Sequence, residues 1–464
     1  MTIFGRHARQ ELDLLVEDFV VTRISRREFF YRATAAGLSL SAASSLLAAC
    51  NENPGTHTNS NKSTHVQSIE TLTVWSGEEL DSFLQINAAF TKKTGIGVIS
   101  ETTRDINAVL ATRLKGNNPP DVCGMPSVST FHQLASQNKL LRLDTFLDMG
   151  QFQKNYAQTW IDYSSYRGGI YAILPKANAK NTIWYNPKAF KAIGASIPKT
   201  WNELIALSDK IAAQGKYPWS MGMNSGTASG WPAADWIDEI YINKYGPDMY
   251  DEWIAHQLPW THPSVKDAFQ LFGQIAHGKH YIKGGPQTIL STNFQDASYL
   301  PFDQPANAYM YYLGDFTAGF IKDQFKNSQS GKDFDFFAFP TINPKYKGSV
   351  VGTADLIAAF KDNDGTRQYM EFLSSAEAQS IWVKRGGATS INANVDLTSY
   401  PDDLARNAAK QMATASSLRV SADDLMPLIV ENYYWQGALQ YIENPKQLDN
   451  ILATIEEIAL QAYI

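Results

Sequence analysis

Several carboxylates stand where they could meet a ligand. Glu78 and Glu79 follow the β-branched run TLTVW and a Ser-Gly pair, and Asp315 follows YMYYLG. An acid at a helix start can simply complement the helix dipole, which is worth about 0.3–1 kcal/mol, and an Asp in a turn can cap it. The same groups can accept hydrogen bonds from ligand hydroxyls. Two of them, such as Glu78 with Asp315, could also serve glycoside hydrolysis.

Sequence patterns for catalysis, nucleotide binding or metal binding are weaker. The sequence holds neither a G-x-S-x-G elbow nor a P-loop. His277 and His280 lack a third ligand nearby, so we expect surface histidines and no metal site. Tyr311-Tyr312 and Tyr433-Tyr434 could suggest ferric-ion ligands, but strand alternation puts only one member of each pair on a given face. We therefore expect no metal and no cofactor.

Length and composition indicate a folded protein of two or three domains. The chain has 464 residues, of which 12% are aromatic and 19% charged, with a formal net charge of -6. Such a chain can bury a sizeable core. A mildly acidic protein lacks the basic footprint that nucleic acid requires, so we expect no nucleic-acid partner.

The first fifty residues resemble an export signal. Arg26 and Arg27 precede two phenylalanines in the order of a twin-arginine signal. The uncharged run from 33 to 49 is too short and too weakly apolar for a membrane span, which needs about 20 apolar residues. It is typical of a signal-peptide core, although an Ala/Ser-rich helix of a cytosolic domain is the alternative. The long leader before Ser25 leaves the general export route open.

Cys50 ends the motif LAAC, which matches the lipobox of bacterial lipoproteins. We expect residues 1–49 to be a signal peptide and Cys50 to carry a lipid. Residues 50–69 are polar and rich in Asn, Ser and Thr, which predicts a flexible tether. A lipidated Cys50 cannot form a disulfide with Cys123, so Cys123 is expected to be a small buried residue.

Strand and helix patterns alternate after the tether. TLTVW, IGVISE and PPDVCGM predict strands, and each is followed by a helical pattern; Ser129 could cap the third helix. This βαβαβα order predicts a parallel sheet with helices on both faces. Ligands bind such sheets at the carboxyl ends of the strands, which here carry residues 76–79 and 124–129. Further along, Thr200 and Glu203 predict a capping box, and residues from about 365 are mainly helical.

An ordered set of motifs carries a family resemblance. LTVWSGEE, FTKKTGIGV, GNNPPDV, IWYNPKAF, PKTWNEL and EFLSSAEAQSIW follow one another after residue 70. In this order they resemble the extracellular solute-binding proteins of family 1, the maltose-binding-protein type, which serve ATP-binding-cassette (ABC) sugar importers. The resemblance implies the periplasmic-binding-protein type II fold, with two α/β lobes joined by crossover segments around a ligand cleft. It implies a binding protein, not an enzyme.

The same resemblance implies partners and boundaries. We expect a carbohydrate ligand, the transmembrane subunits of an ABC permease as partner, and a monomer held by its lipid on the outer face of the cell membrane. Crossovers are implied at 183–186 and 309–316. Lobe one would then be 70–184 plus 314–350, and lobe two 185–313 plus 351–464.

A sugar offers apolar C–H faces and a ring of hydroxyls, so its site needs aromatic platforms and polar acceptors. Trp231 in SGWPAADW and Trp435 in MPLIVENYYW match aromatic positions beside the sugar in that family; core packing is the alternative. The other candidates are Trp75, Glu78, Glu79, Ser127, Asn181, Asp315 and Asp355. Ser127 and Ser129 stand where maltose-type members often carry an Asp, which argues against maltose. A same-fold binder of ferric ion, polyamine or peptide, and less so a secreted glycoside hydrolase, are the alternatives.

Overall fold

The computed structural model describes residues 68–125 and 127–463, without the side chain of Glu78. The predicted signal peptide with Arg26 and Arg27, the lipidation site Cys50 and nearly all of the tether lie outside the described residues. Within the described part of the chain, no helix combines the length and the apolar composition that crossing a membrane requires.

The described chain forms fourteen strands and nineteen α-helices. The strands are β1 (Ser68–Thr73), β2 (Gly97–Thr102), β3 (Val122–Met125), β4 (Ser165–Tyr166), β5 (Gly169–Ile170), β6 (Ala172–Ile173), β7 (Ala177–Ala179), β8 (Thr182–Tyr185), β9 (Trp219–Ser220), β10 (Met310–Tyr312), β11 (Asp335–Ala338), β12 (Ser349–Ala354), β13 (Leu356–Ala359) and β14 (Ser417–Val420). The helices are α1 (Gly77–Thr94), α2 (Ile106–Lys115), α3 (Val128–Ser136), α4 (Met149–Asn155), α5 (Gln158–Tyr163), α6 (Pro187–Ala192), α7 (Trp201–Ala213), α8 (Trp231–Tyr245), α9 (Pro247–Ile254), α10 (Pro263–Ala276), α11 (Gly285–Ser291), α12 (Phe294–Ala297), α13 (Thr317–Gln324), α14 (Asp364–Leu373), α15 (Ala376–Val383), α16 (Asp403–Ala413), α17 (Ala422–Leu425), α18 (Leu428–Glu443) and α19 (Leu448–Ala462).

The first sheet has the strand order β2-β1-β3-β13-β6. Strand β1 pairs in parallel with β2 and β3, as predicted, and β13 is inserted antiparallel between β3 and β6. Side chains alternate between two cores: Ile69 and Ile357 pack with α1, α14 and α15, whereas Leu72 and Leu356 pack with α2 and α3. Cys123 in β3 is a free, fully buried thiol, as expected.

The second sheet has the order β11-β8-β10-β9. Strand β8 is antiparallel to both of its neighbours, and β10 is parallel to β9. Ile183 and Met310 face the largest core, which α7, α8, α10, α18 and α19 complete. Trp184 and Tyr311 face the opposite core, to which α13 and α16 contribute. This sheet is therefore also covered by helices on both faces.

Crossing segments join the two sheets. The chain leaves β7, which belongs to a small sheet of order β14-β12-β7, and enters β8 of the second sheet. Beside this passage, the Asp315 amide donates to the Ala179 carbonyl at 2.9 Å, and the Phe339 amide donates to the Asn181 carbonyl at 2.8 Å. The architecture is thus the predicted one, two α/β lobes joined by crossover segments.

The strand pairing places several segments in a different lobe from the one expected. Strand β11 pairs with β8 in the second sheet, although 314–350 was expected in lobe one. Strand β8 is also in the second sheet, although all but its last residue falls in 70–184, which was expected in lobe one. Strand β13 and helices α14 and α15 pack in the first lobe, although 351–464 was expected in lobe two. The chain crosses between the lobes more than twice, and a strand's local pattern does not reveal which sheet it joins.

Sequence signals for helix ends agree with the structure more closely than the expected lobe boundaries do. Helix α1 ends at Gly95, whose φ of 79° needs a glycine. Helix α7 begins at the expected capping box, in which the Thr200 side chain accepts from the Glu203 amide at 3.3 Å. Helix α3 differs, because Ser127 and not Ser129 occupies its N-cap and accepts from the Thr130 amide.

Candidate functional site

One wall of the candidate site consists of carboxylates that a buried lysine holds together. Glu79 lies in the first turn of α1, and Asp355 lies between β12 and β13, where the chain passes from one sheet to another. The Lys176 ammonium contacts Glu79 Oε1 at 2.8 Å and Asp355 Oδ2 at 2.7 Å. The Lys176 side chain is 3% exposed, against 25% for Glu79 and 34% for Asp355. The two predicted acids therefore meet, and each keeps part of its surface open.

Lys176 is fully engaged in this cluster. Its third contact is Asn178 Oδ1 at 3.0 Å, so the three ammonium protons have three acceptors. Burial alone would lower the pKa of Lys176, but the charges of Asp355 and Glu79 outweigh it and raise the pKa above its usual value. The lysine is thus a permanent cation that neutralises the wall.

Trp75 supports this wall from behind. It is 4% exposed and packs against Phe83 and Trp382, with ring centroids 4.8 and 4.7 Å apart. Its Nε1–H donates to Asp355 Oδ2 at 3.3 Å. The expected ligand platform is therefore a core residue that contacts Asp355, because its side chain, two residues after the end of β1, points into the hydrophobic interior.

Trp231 begins the second wall. It is the first residue of α8 and is partly exposed. The buried Lys180 ammonium lies 4.6 Å from the centre of its ring and 2.7 Å from Asp235 Oδ2. A cation over an aromatic face is attractive, so the ion pair fixes the indole from one side.

Trp435 lies beside Trp231. It is partly exposed on α18, and its Nε1–H donates to Asp423 Oδ2 at 2.7 Å. Gly230, which directly precedes Trp231, has a φ of 106° and sits so close to Trp435 that a Cβ there would lie 2.6 Å from the Trp435 carbonyl oxygen. The backbone at Trp231 thus packs against that of Trp435, while the two indole rings pack against different hydrophobic cores.

Asp424 connects the two walls. Its Oδ2 accepts from Thr353 Oγ1 at 2.7 Å, two residues before Asp355. Burial, then the neighbouring charge of Asp423, raises the pKa of Asp424 to about 7, and the charge of Asp355 adds to the effect. Burial also raises the pKa values of Asp235 and Asp423 to about 6. Acidic groups predominate here, and both lysines are already paired with them.

Two polar candidates lie nearby in buried positions. Ser127 is 6% exposed and serves as the cap of α3. Asn181 is 5% exposed, and its Oδ1 has no hydrogen-bond partner in the described structure. Next to Ser127, Ser129 Oγ lies 3.2 Å from Oε2 of the buried Glu431, so α3 of the first lobe contacts α18 of the second.

Asp315 has a structural role instead of the expected ligand contact. It is 2% exposed; Asn178 Nδ2 donates to Oδ1 at 2.6 Å and Thr389 Oγ1 to Oδ2 at 3.3 Å. Burial raises its pKa to about 6. Because both carboxylate oxygens join crossing segments, Asp315 is not available as the second carboxylate of a glycosidase pair.

The tyrosine pairs do not assemble a ferric-ion site. Tyr311 and Tyr312 face opposite cores, as strand alternation predicts, and their hydroxyls donate to the carbonyls of Phe294 and Asp235. Tyr434 lies in a helix, not a strand, and donates to Asp238 at 2.9 Å. No group of three or more His, Cys, Asp or Glu among the described residues is placed to hold a metal ion.

Sequence reasoning missed the buried charges that support the site. Helix α8 carries Asp235, Asp238 and Glu239, which contact Lys180, the Ala422 amide and the Val351 amide respectively. Three acids in the otherwise apolar stretch WPAADWIDEIYI were the available signal. Acids are rarely fully buried without partners, so their presence in such a helix indicates long-range contacts.

Comparison with known proteins gives a consistent picture. The family model described as bacterial extracellular solute-binding protein matches residues 76–380. The osmoprotective compounds-binding protein GgtB of Synechocystis is 32% identical over 375 residues, covering 81% of this chain and 88% of that protein. The alpha-glucosides-binding periplasmic protein AglE of Rhizobium meliloti is 28% identical, covering 82% of this chain and 85% of that protein.

Solved structures share the fold. The bacterial solute receptor AcbH, described as preferring β-D-galactopyranose, superposes with a TM-score of 0.75 at 20% identity, covering 86% of this chain and 99% of that receptor. A chitin oligosaccharide binding protein gives a TM-score of 0.73 at 18% identity, covering 85% of this chain and 98% of that protein.

Proposed function

The chain belongs to the bacterial extracellular solute-binding protein family, and on that basis we propose that it captures a carbohydrate outside the cell and hands it to the permease of an ABC importer. The observation that carries this proposal is that two partly exposed, anchored tryptophans, Trp231 and Trp435, belong to one wall and the partly exposed carboxylates Glu79 and Asp355 to the other. Indole faces stack on sugar C–H surfaces, and carboxylates accept hydroxyl protons.

The name of one relative supports a neutral polyhydroxyl ligand. AglE is named for α-glucosides, and GgtB is named for osmoprotective compounds without a stated chemistry. Both buried lysines are paired with acids, so they offer no free charge to an anionic ligand. A small uncharged glycoside therefore fits best.

Binding would proceed without covalent chemistry. Glu79 and Asp355 belong to the first lobe, Trp231 and Trp435 to the second, and the ligand bridges them when the lobes close about the crossing segments. A ligand shifts such an equilibrium only by its differential affinity for the closed form. Contacts with both walls exist only in that form, which supplies the difference.

Anchoring and export complete the proposal. The lipobox at Cys50 supports a lipoprotein held on the outer face of the membrane, and Arg26-Arg27 supports twin-arginine export. Changing Arg26 and Arg27 to Lys tests the route, because normal export of that variant contradicts it. We also propose a monomer, since a receptor of this kind delivers one ligand to one permease.

A thermal-shift screen tests the ligand class. Sucrose, trehalose, maltose and raffinose are compared with ferric citrate, spermidine and a short peptide. We expect at least one sugar to raise the melting temperature, with a Kd in the micromolar range, about −8 kcal/mol. A shift with only a non-sugar ligand contradicts the proposal. Chromatography of the sugar after long incubation distinguishes binding from hydrolysis.

A further inference from the structure

Lys176 occupies an unusual place for a lysine. It lies in the segment that leads into the first crossing, in the stretch LPKANAK, and its side chain is 3% exposed. Its ammonium is also 5.6 Å from the centre of the Trp382 ring, which belongs to the core of the first lobe. A cation is buried at this depth only when its partners compensate for lost hydration.

The partners of Lys176 are the acids of the site wall. One oxygen of Glu79 and one oxygen of Asp355 lie within 2.8 Å of the ammonium. The other oxygen of each acid, Oε2 of Glu79 and Oδ1 of Asp355, has no hydrogen-bond partner among the described residues. In each acid, therefore, one carboxylate oxygen is bound by the ammonium and the other can accept a hydrogen bond from a ligand.

We propose that Lys176 is a positioning residue for ligand binding, which fixes Glu79 and Asp355 through one oxygen each and leaves the other oxygens aimed at ligand hydroxyls. The inference rests on the proposed function, because it concerns the same site. Glu79 and Asp355 are 276 residues apart in sequence, and without the ammonium their like charges repel and the two side chains rotate apart.

Trp75 and Asn178 further fix the positions of Asp355 and Lys176. The Trp75 indole N–H reaches the same Asp355 oxygen that Lys176 binds, so two donors hold that oxygen and none holds the other. Asn178 takes the third proton of Lys176 and in turn donates to Asp315 at the crossing segment. Asn178 thereby fixes the position of the ammonium, so that it does not move when the ligand binds.

The test is a double-mutant cycle on affinity, with the sugar that gives the wild type its largest thermal shift in a panel of sucrose, trehalose, maltose and raffinose. Kd is measured by calorimetry for the wild type, Lys176→Met, Glu79→Gln/Asp355→Asn and the triple variant. We expect Lys176→Met and the Glu79→Gln/Asp355→Asn variant each to bind at least tenfold more weakly than the wild type. We expect the triple variant to bind no more than threefold more weakly than Glu79→Gln/Asp355→Asn, because Lys176 acts through these two acids.

A matched control separates positioning from general stability. Lys322→Met removes another partly buried lysine, which contacts Asp402 at 3.1 Å away from the site. That variant should keep its affinity within twofold. Lys176→Met binding as well as the wild type, or a triple variant that binds at least tenfold more weakly than Glu79→Gln/Asp355→Asn, would overturn the inference.

Two further outcomes are decisive. If Lys176→Met does not fold, the triple variant is compared with Glu79→Gln/Asp355→Asn alone, since it removes both acids together with the base and leaves no unpaired buried charge in the cluster. Equal affinities then support the inference, and a further tenfold loss overturns it. If the wild type responds to no sugar in the panel, the proposed function fails, and the inference fails with it.

Discussion

At the scale of single residues, the proposed ligand site depends on two tryptophans that are anchored but not buried. Trp231 is held by the Lys180–Asp235 ion pair, and Trp435 is held by Asp423. The sequence singled out Trp231 because it starts a segment and matches a family position, and Trp435 because of the family resemblance alone. It could not predict their anchors, since Lys180 lies far from Trp231 in sequence, and Asp423 meets Trp435 only through the turn between α17 and α18.

Truncating either tryptophan should weaken sugar binding. Trp231→Ala and Trp435→Ala each remove a large apolar surface, and we expect Kd to rise at least tenfold by calorimetry, about 1.4 kcal/mol. Tyr433→Ala is the matched control, because it lies two positions before Trp435 on α18 and so on another side of the helix. Unchanged affinity would remove that tryptophan from the site.

Gly230 offers a second test at this scale. Its φ is 106°, and an added Cβ would lie 2.6 Å from the Trp435 carbonyl oxygen. We expect Gly230→Ala to cost about 1–3 kcal/mol of folding stability and to weaken sugar binding by displacing Trp435. Gly226→Ala is the control, because that glycine also has a positive φ but open space around it. Equal effects of the two changes on sugar affinity would contradict the role of close packing.

At the scale of elements, helix α8 organises the second lobe. It is buried on nearly all sides, so it lacks the amphipathic period that makes a surface helix readable in a sequence. The capping box and apolar face of α7 were readable because that helix has a solvent side: Trp201, Leu204, Leu207 and Ile211 are all buried, as the spacing predicts.

Glu239 tests the role of α8. Its Oε2 accepts from the Val351 amide at 2.9 Å and its Oε1 from Asn243 Nδ2 at 2.9 Å, and burial raises its pKa to about 8. The side chain is therefore largely protonated at neutral pH. Glu239→Gln should cost about 1 kcal/mol of unfolding free energy, because its oxygen still accepts from the Val351 amide but its NH2 group faces the Asn243 donor. Glu239→Ala leaves a buried amide without an acceptor and should cost about 2–3 kcal/mol. Denaturant unfolding measures both, and a Gln variant as unstable as the Ala variant would contradict this assignment.

At the scale of the whole molecule, the chain was predictable as a family and a fold, but not in its boundaries. The ordered motifs indicated two α/β lobes, and the parallel pairing of β1, β2 and β3 followed from the alternating pattern. The antiparallel β13 and the second-sheet strand β11 could not be placed, because local sequence does not specify a strand's partner.

Buried acids give the molecule a distinctive pH dependence. Burial raises the pKa values of Asp235, Asp315 and Asp423 to about 6 and that of Asp424 to about 7. Between pH 4 and 7 the native state thus keeps protons that the unfolded chain, with an ordinary Asp pKa near 4, has released. Unfolding then releases protons, so stability falls as the pH rises through this range.

Calorimetry at pH 5 and pH 8 checks this expectation. We expect the melting temperature without sugar to be several degrees higher at pH 5. Asp424→Asn should reduce the difference, because the amide is neutral at both pH values. A melting temperature that rises from pH 5 to pH 8 would contradict the burial of these acids.

The central claim is that the two lobes capture a sugar, and titration calorimetry of the wild-type protein with small neutral glycosides tests it most directly. Binding of one sugar per chain with a micromolar Kd is the predicted result. The absence of binding heat with every glycoside at several temperatures, from a protein that is folded by its melting curve, would contradict it.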